Sequence, residues 1–199
     1  MARSGPAAWV GLCLFLGALA LLGWGRERSG LDWQPALAAS QPWRAWTAVA
    51  VHYSGLHLLA NLAGAVLVAT LGVTARVGGR EVVALLIAWP LTQAGLLVQP
   101  ALANYGGLSG VLHAAVAVVG VQLLLAQPGP ARRRVIGAAL LAGLLLKVLV
   151  EAPWGAPLRH PEGWDIAVAP LAHASGAVAG LLAALVLLLL RRPAVGTPS

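Results

Sequence analysis

The chain has 199 residues, of which 59% are hydrophobic and only 10% are charged. A soluble domain of this length carries roughly 25% charged residues, so we expect most of this chain to be solvated by lipid rather than water. The net charge of +7 does not indicate nucleic-acid binding, because the basic residues lie at the ends of apolar segments and form no stripe with interleaved aromatic side chains.

Six apolar segments are long enough to cross a bilayer as helices, which takes about 17–25 residues. They are residues 7–24, 47–71, 82–99, 108–126, 135–151 and 166–190. A β-barrel does not suit segments of this length, because its strands are about 10 residues long. The sequence predicts a single all-α domain over residues 1–192, a polytopic membrane protein with six spans, and a disordered tail over 193–199.

The first segment also has features of a secretory signal, since Arg3 precedes the apolar run and Ala18-Leu19-Ala20 resembles a cleavage site. We favour its retention as a helix. Without it the bundle would lose a wall, and the charge pattern described next is satisfied with the segment in place.

The basic residues predict the orientation, because cytoplasmic loops carry an excess of Lys and Arg. With the N-terminus inside, eight of the thirteen basic residues are cytoplasmic and four are external, and Lys147 lies within the fifth span. We therefore expect a protein of a bacterial inner membrane with both termini cytoplasmic. Lys147 and Glu151 are four residues apart and are interpreted as a snorkelling ion pair.

Polar residues inside spans are costly, and they are candidates for functional sites. The candidates all fall in the outer halves of spans two, four and six: His52, His57, Asn61, Ser109, His113 and His173. His57 and Asn61 share a helix face, which suits either an oxyanion hole or hydrogen bonds between helices, whereas His52 points elsewhere. Ser109 opens span four after two glycines, as either a helix N-cap or a nucleophile.

His173 shares a face of span six with Gly176-x-x-x-Gly180, a pattern of small residues that lets two helix backbones approach closely. If this seam packs against span four, His173 reaches Ser109 as a general base. With span six beginning near Ile166, His173 lies about 10 Å below the outer surface. No carboxylate or cysteine accompanies the histidines in the spans, so we expect no metal or other cofactor.

Four linked motifs resemble those of the rhomboid intramembrane serine proteases. They are Trp43-Arg44, His52-x4-His57-x3-Asn61, Gly106-Gly107-Leu108-Ser109-Gly110 and Ala172-His173-x2-Gly176-x3-Gly180. The resemblance implies a six-helix rhomboid-type bundle, with Ser109 as nucleophile and His173 as general base in a dyad without a third, acidic member. It further implies the roles of the remaining motif residues: His57 and Asn61 join the Ser109 backbone N–H in an oxyanion hole, Tyr105, Gly106 and Gly107 lie alongside the substrate, and Trp43, Arg44 and His52 are structural.

Two features depart from the common family pattern. His113 stands where the family often has a tyrosine that stacks on the catalytic histidine, and we favour stacking over direct proton transfer for it. The compact chain and the segment GLSGVLH resemble the rhombosortase subgroup. Its members are associated with removing a C-terminal anchor, made of a Gly-Gly motif, an apolar helix and a basic tail, from exported proteins.

The implied partners are transmembrane or C-terminally anchored protein substrates within membrane lipid, and no nucleic acid. Two alternatives stay open from the sequence. One is a general rhomboid protease of single-span membrane proteins, and the other is a non-catalytic rhomboid relative that binds membrane helices.

Overall fold

The computed structural model of the chain describes residues 5–125 and 130–190. In this part of the chain, seven α-helices are joined by loops and short 3₁₀ turns. The helices are α1 Gly5–Gly23, α2 Arg44–Thr47, α3 Gly55–Ala75, α4 Gly79–Ala94, α5 Ser109–Leu125, α6 Ala131–Glu151 and α7 Pro170–Leu189. The tail predicted to be disordered, residues 193–199, lies outside the described residues.

The structure confirms a helical membrane protein. Helices α1, α3 and α7, and α4 with its 3₁₀ extension to Val98, are long and apolar enough to cross a membrane. Helix α5 is apolar but has 17 residues, and α6 carries charged side chains at both ends. The count of six spans therefore stays a prediction.

The second predicted segment, 47–71, is wrong at its start. Residues 44–50 form α2 and a 3₁₀ turn, residues 51–54 are not helical, and α3 begins only at Gly55. Residues 48–51 are apolar and are buried within the protein. Hydropathy does not distinguish this kind of burial from contact with lipid, so the prediction joined two different elements.

A serine cap defines the start of α3. The Oγ of Ser54 accepts a hydrogen bond from the His57 N–H at 3.0 Å, as expected for an N-cap residue. His52 therefore precedes the helix, and its direction cannot be read from a helical wheel.

The sixth predicted segment, 166–190, also begins too early, because α7 starts at Pro170. Proline suits the first position of a helix, where its missing N–H has no acceptor. His173 is thus the fourth residue of α7, about 4.5 Å along the axis from the first. The helix start at Ile166 is wrong, whereas the depth of His173 below the outer surface stays a prediction. The other four segments match helices to within four residues at each end, once the 3₁₀ extension of α4 to Val98 is included.

Helix α1 forms a wall of the bundle against α3. The indole Nε1 of Trp9 donates a hydrogen bond to the Val68 carbonyl at 3.0 Å. A Cβ at Gly72 would collide with the same indole, so only glycine fits at this crossing. These contacts agree with the expectation that the bundle depends on its first helix.

Helix α7 packs against α5 along the glycine seam that the sequence predicted. A Cβ at Gly176 would collide with the carbonyl of Gly110, and one at Gly180 with the carbonyl of Ala114. The two backbones are therefore in direct contact, as small residues four apart allow. This contact fixes the distance between the first turns of α5 and α7, where Ser109 and His173 lie.

Replacing Gly176 by alanine is expected to lower the melting temperature and the activity, because the added methyl group forces α7 away from α5. Overpacking of this kind costs about 1–3 kcal/mol of folding free energy. Thermal unfolding of the purified protein in detergent measures the effect. Gly11→Ala in α1 is the matched control, since a Cβ at Gly11 has no atom within 4 Å. Equal melting temperatures for the two variants would contradict the prediction.

Candidate active site

Ser109 and His173 meet at the N-terminal ends of α5 and α7. The Ser109 Oγ lies 3.0 Å from the His173 Nε2, within hydrogen-bonding distance. Ser109 is the first residue of α5, where backbone N–H groups have no acceptor inside the helix. His173 is buried. The imidazole is thus placed to accept the proton of the serine hydroxyl.

The other nitrogen of the His173 ring contacts a carboxylate. Its Nδ1 lies 2.7 Å from Oε2 of Glu151, the last residue of α6. Because a carboxylate only accepts, Nδ1–H is the donor, and Nε2 is left as an acceptor for the Ser109 hydroxyl. Glu151 also pairs with Lys147, as their spacing predicted. The expectation that no carboxylate accompanies the histidines is therefore wrong.

His113 occupies the stacking position beside His173. The two rings are nearly parallel, with an interplanar angle of 10° and centroids 4.2 Å apart. The Nδ1–H of His113 donates to the backbone carbonyl of Ser109 at 2.7 Å, rather than contacting its hydroxyl. This geometry agrees with stacking and not with direct proton transfer to or from Ser109.

His57 and Asn61 lie on the buried face of α3, as their spacing predicted. The His57 side chain lies against Gly107, since a Cβ added at Gly107 would be 2.8 Å from the His57 Nε2. The amide nitrogen of Asn61 is buried and has no hydrogen-bond partner among residues 5–125 and 130–190. Both side chains line a cavity that Ser109 also lines.

His52 packs against His57 rather than pointing elsewhere. Its ring centroid lies 4.8 Å from that of His57, and the side chain is buried. Burial lowers the pKa of His52, so the ring is neutral near pH 7. Within the described residues, no group of three or more His, Cys, Asp or Glu side chains is arranged to hold a metal ion.

The segment before Ser109 is held in an extended conformation by the first loop. The Trp33 N–H donates to the Tyr105 carbonyl at 2.7 Å, and the Tyr105 N–H donates back to the Trp33 carbonyl at 2.8 Å. Gly107 has a φ of +134°, which only glycine adopts readily. Burial raises the pKa of Tyr105, so its hydroxyl stays protonated, 3.5 Å from the Ser109 Oγ.

Arg44 organises the first loop that supports this segment. Its buried guanidinium pairs with Asp32 at 2.8 Å, and the second carboxylate oxygen of Asp32 accepts from the Asn104 Nδ2 at 3.2 Å. Trp43 is exposed. These contacts agree with a structural role for the Trp43-Arg44 motif, because they connect it to the residue next to Tyr105.

A cavity of about 1410 Å³ opens beside the Ser109 hydroxyl. It is bordered by α3, α5, α6 and the loop before α7. Apolar side chains of α3 and α6, among them Leu67 and Leu144, continue its lining away from the polar end. Apart from Gly107, every residue that the sequence predicted for the site lines it: His57, Asn61, Tyr105, Gly106, Ser109, His113 and His173.

The loop before α7 lines this cavity and is hydrogen-bonded to the N-terminus of α3. The Ser54 Oγ donates to the Asp165 carboxylate at 2.7 Å, joining the N-terminus of α3 to the loop. Asp165, like Glu151, was not predicted as part of the site. Each of them contacts a residue near the site that lies more than twenty positions away along the chain.

The apolar helices, with a cavity between them at one end, define a multi-pass helical membrane protein. The family model described as the Rhomboid domain matches residues 39–190. The chain therefore belongs to the rhomboid family, as the four motifs predicted. No curated protein matches it. The family supports an intramembrane-protease type of function and transmembrane proteins as substrates.

Proposed function

We propose that the chain is a rhomboid serine endopeptidase that hydrolyses a peptide bond in or next to a transmembrane segment. The 3.0 Å contact between Ser109 Oγ and His173 Nε2 carries the proposal. Ser109 attacks the carbonyl carbon while Nε2 takes the hydroxyl proton. The same proton then passes to the leaving amine as the C–N bond breaks, and water hydrolyses the acyl-enzyme.

The tetrahedral intermediate needs donors for its oxyanion. Ser109 is the first residue of α5, so its backbone N–H has no acceptor inside the helix and is one donor to the oxyanion. The side chains of His57 and Asn61, which line the same cavity, are the other two donors. The extended segment Tyr105–Gly107 lies alongside the substrate. A substrate helix has to unwind near this segment, so that the scissile carbonyl reaches the serine.

The substrate we propose is the C-terminal anchor of an exported protein, consisting of a Gly-Gly motif, an apolar helix and a basic tail. The rhombosortase-like segment GLSGVLH supports this choice. The apolar part of the cavity suits a membrane-embedded helix, which leaves the polar end near Ser109 for the residues just outside the helix.

We further propose that the cavity opens to the periplasmic side of the inner membrane and that both termini are cytoplasmic. The basic residues at the opposite end of the bundle support this orientation. Arg133 at the start of α6 donates to the Ala75 carbonyl at the end of α3, 2.8 Å away. This end is far from Ser109 and carries the excess of positive charge expected on the cytoplasmic side.

Co-expression with two reporters tests the proposal. Both reporters are exported domains with one C-terminal membrane helix and a basic tail, and only one of them has the Gly-Gly motif before the helix. We expect the wild-type protein to shorten the Gly-Gly reporter on an immunoblot, and Ser109→Ala to leave it intact. Cleavage that persists in Ser109→Ala would contradict the serine mechanism.

The second reporter separates the proposal from its nearest rival. Equal cleavage of both reporters would favour a general rhomboid protease of single-span proteins. Retention of either reporter with the wild-type protein on purification, without cleavage in any condition, would favour a non-catalytic helix-binding relative.

A further inference from the structure

We infer that Glu151 is a positioning residue for His173, so that the site is a Ser–His–Glu triad rather than a dyad. This inference rests on the proposed protease function. It goes beyond that function because it assigns a role to a residue on α6, a helix that carries none of the four motifs.

The geometry gives each ring nitrogen of His173 one partner. Nε2 faces the Ser109 Oγ at 3.0 Å, and Nδ1 faces the Glu151 Oε2 at 2.7 Å. The carboxylate is itself fixed, because its other oxygen pairs with Lys147 one turn earlier on α6. Glu151 thus reaches His173 from a helix that supplies neither the nucleophile nor the base.

The carboxylate has two consequences for proton transfer. By accepting from Nδ1–H, it holds the tautomer in which Nε2 carries the lone pair that takes the serine proton. When that proton arrives, the imidazolium lies against a negative charge and is stabilised. Glu151 keeps its own charge throughout, and the proton later leaves Nε2 for the amine.

The His173–Glu151 pair is covered by a stacked aromatic ring on the His173 side and faces a cation on the Glu151 side. His113 from α5 covers one face of the His173 ring, with centroids 4.2 Å apart. Lys147 is the cation facing Glu151, and its side chain is 50% exposed. Glu151 is itself only 22% exposed, so its hydrogen bond to His173 is partly shielded from water.

Reaction with a fluorescent fluorophosphonate measures nucleophile activation without a natural substrate. The serine oxygen forms a bond to phosphorus and fluoride leaves, so in-gel fluorescence reports the rate. We expect Glu151→Gln to slow labelling by up to about 10⁴-fold, the loss that removal of the orienting carboxylate causes in a soluble serine protease. Glu151→Asp should recover part of the rate, since it keeps the charge.

The pH profile separates positioning of His173 from a purely structural role. Without the carboxylate the protonated imidazole is less stable, so the neutral base persists to lower pH. The acid limb of the labelling rate should therefore move to lower pH in Glu151→Gln. The titratable and charged groups that face the pair, Lys147, His113 and His57, are unchanged in this variant. Glu27→Gln is the matched control, because Glu27 is an exposed carboxylate of the first loop.

A wild-type labelling rate in Glu151→Gln would overturn the inference. It would also be overturned if the labelling rate fell only in proportion to the folded fraction and the acid limb of the pH profile did not move. If Glu151→Gln does not fold, wild-type rate and pH profile in Glu151→Asp would overturn it, because the shortened side chain cannot keep the 2.7 Å contact. Ser109→Ala keeps the two proposals apart. Labelling of that variant would refute the protease function itself, whereas no labelling of it beside an unaffected Glu151→Gln would refute the triad alone.

Discussion

Alanine at Ser109, at His173 or at both positions is expected to leave the same residual rate of peptide cleavage. The two side chains act as one unit, because the serine is a weak nucleophile without the base and the base has no proton to take without the serine. In soluble serine proteases, removing either member lowers kcat by on the order of 10⁶-fold, and removing both has almost no further effect. The 3.0 Å contact between these groups predicts the same pattern here.

Purified variants with a fluorogenic membrane-anchored peptide in detergent micelles provide the measurement. Ser175→Ala is a matched control on α7, since its Oγ donates to the Thr92 carbonyl at 2.7 Å and Ser175 does not line the cavity. Its kcat should stay near that of the wild type. If the losses from Ser109→Ala and His173→Ala instead added in the double variant, the two residues would act independently and the proposed mechanism would fail.

The meeting of Ser109 with His173 could be anticipated because local patterns determine it. A serine after two glycines predicts a helix start, and Gly176-x-x-x-Gly180 predicts a helix contact close enough to bring backbones together. His173 lies on the same face as that seam. Once α7 packs on α5 along this seam, the His173 side chain is brought next to Ser109 at the start of α5.

The role of Glu151 could not be anticipated in the same way. Its spacing to Lys147 offered a complete local explanation, an ion pair on one helix, and the structure contains that pair. The second partner, His173, lies 22 positions along the chain, beyond a loop that hydropathy does not describe. The two oxygens of a carboxylate can accept hydrogen bonds from two different partners. The ion pair with Lys147 therefore did not indicate that the second oxygen contacts His173.

The start of α3 shows a different limit of the sequence. Residues 48–51 are as apolar as a membrane span, yet they are buried within the protein and are not part of α3. The signal that ends this region is a single Ser-Gly pair, Ser54-Gly55, which a hydropathy average over about 19 residues does not detect. That error also misplaced His52, which packs on His57.

Replacing Asn61 by leucine is expected to lower kcat by about 10²–10³-fold while leaving KM nearly unchanged, because an oxyanion donor acts mainly in the transition state. The structure adds an expectation about stability. The Asn61 Nδ2 is buried without a partner among the described residues, and such a donor is costly to bury. Leucine removes that cost, so the variant should melt at the wild-type temperature or above while cleaving slowly.

Gln93 provides the comparison that makes this prediction specific to the site. Its amide is also buried without a partner within the described residues, but it lies on α4 and does not line the cavity beside Ser109. Gln93→Leu should therefore keep or raise the melting temperature, like Asn61→Leu, but retain the wild-type kcat. Steady-state cleavage and thermal unfolding of the two variants measure both quantities.

If kcat fell equally in both variants, the loss would come from repacking of the core and Asn61 would have no role in the oxyanion hole. A fall confined to Asn61→Leu would mean that its unpaired amide is kept for the transition state, at the expense of stability.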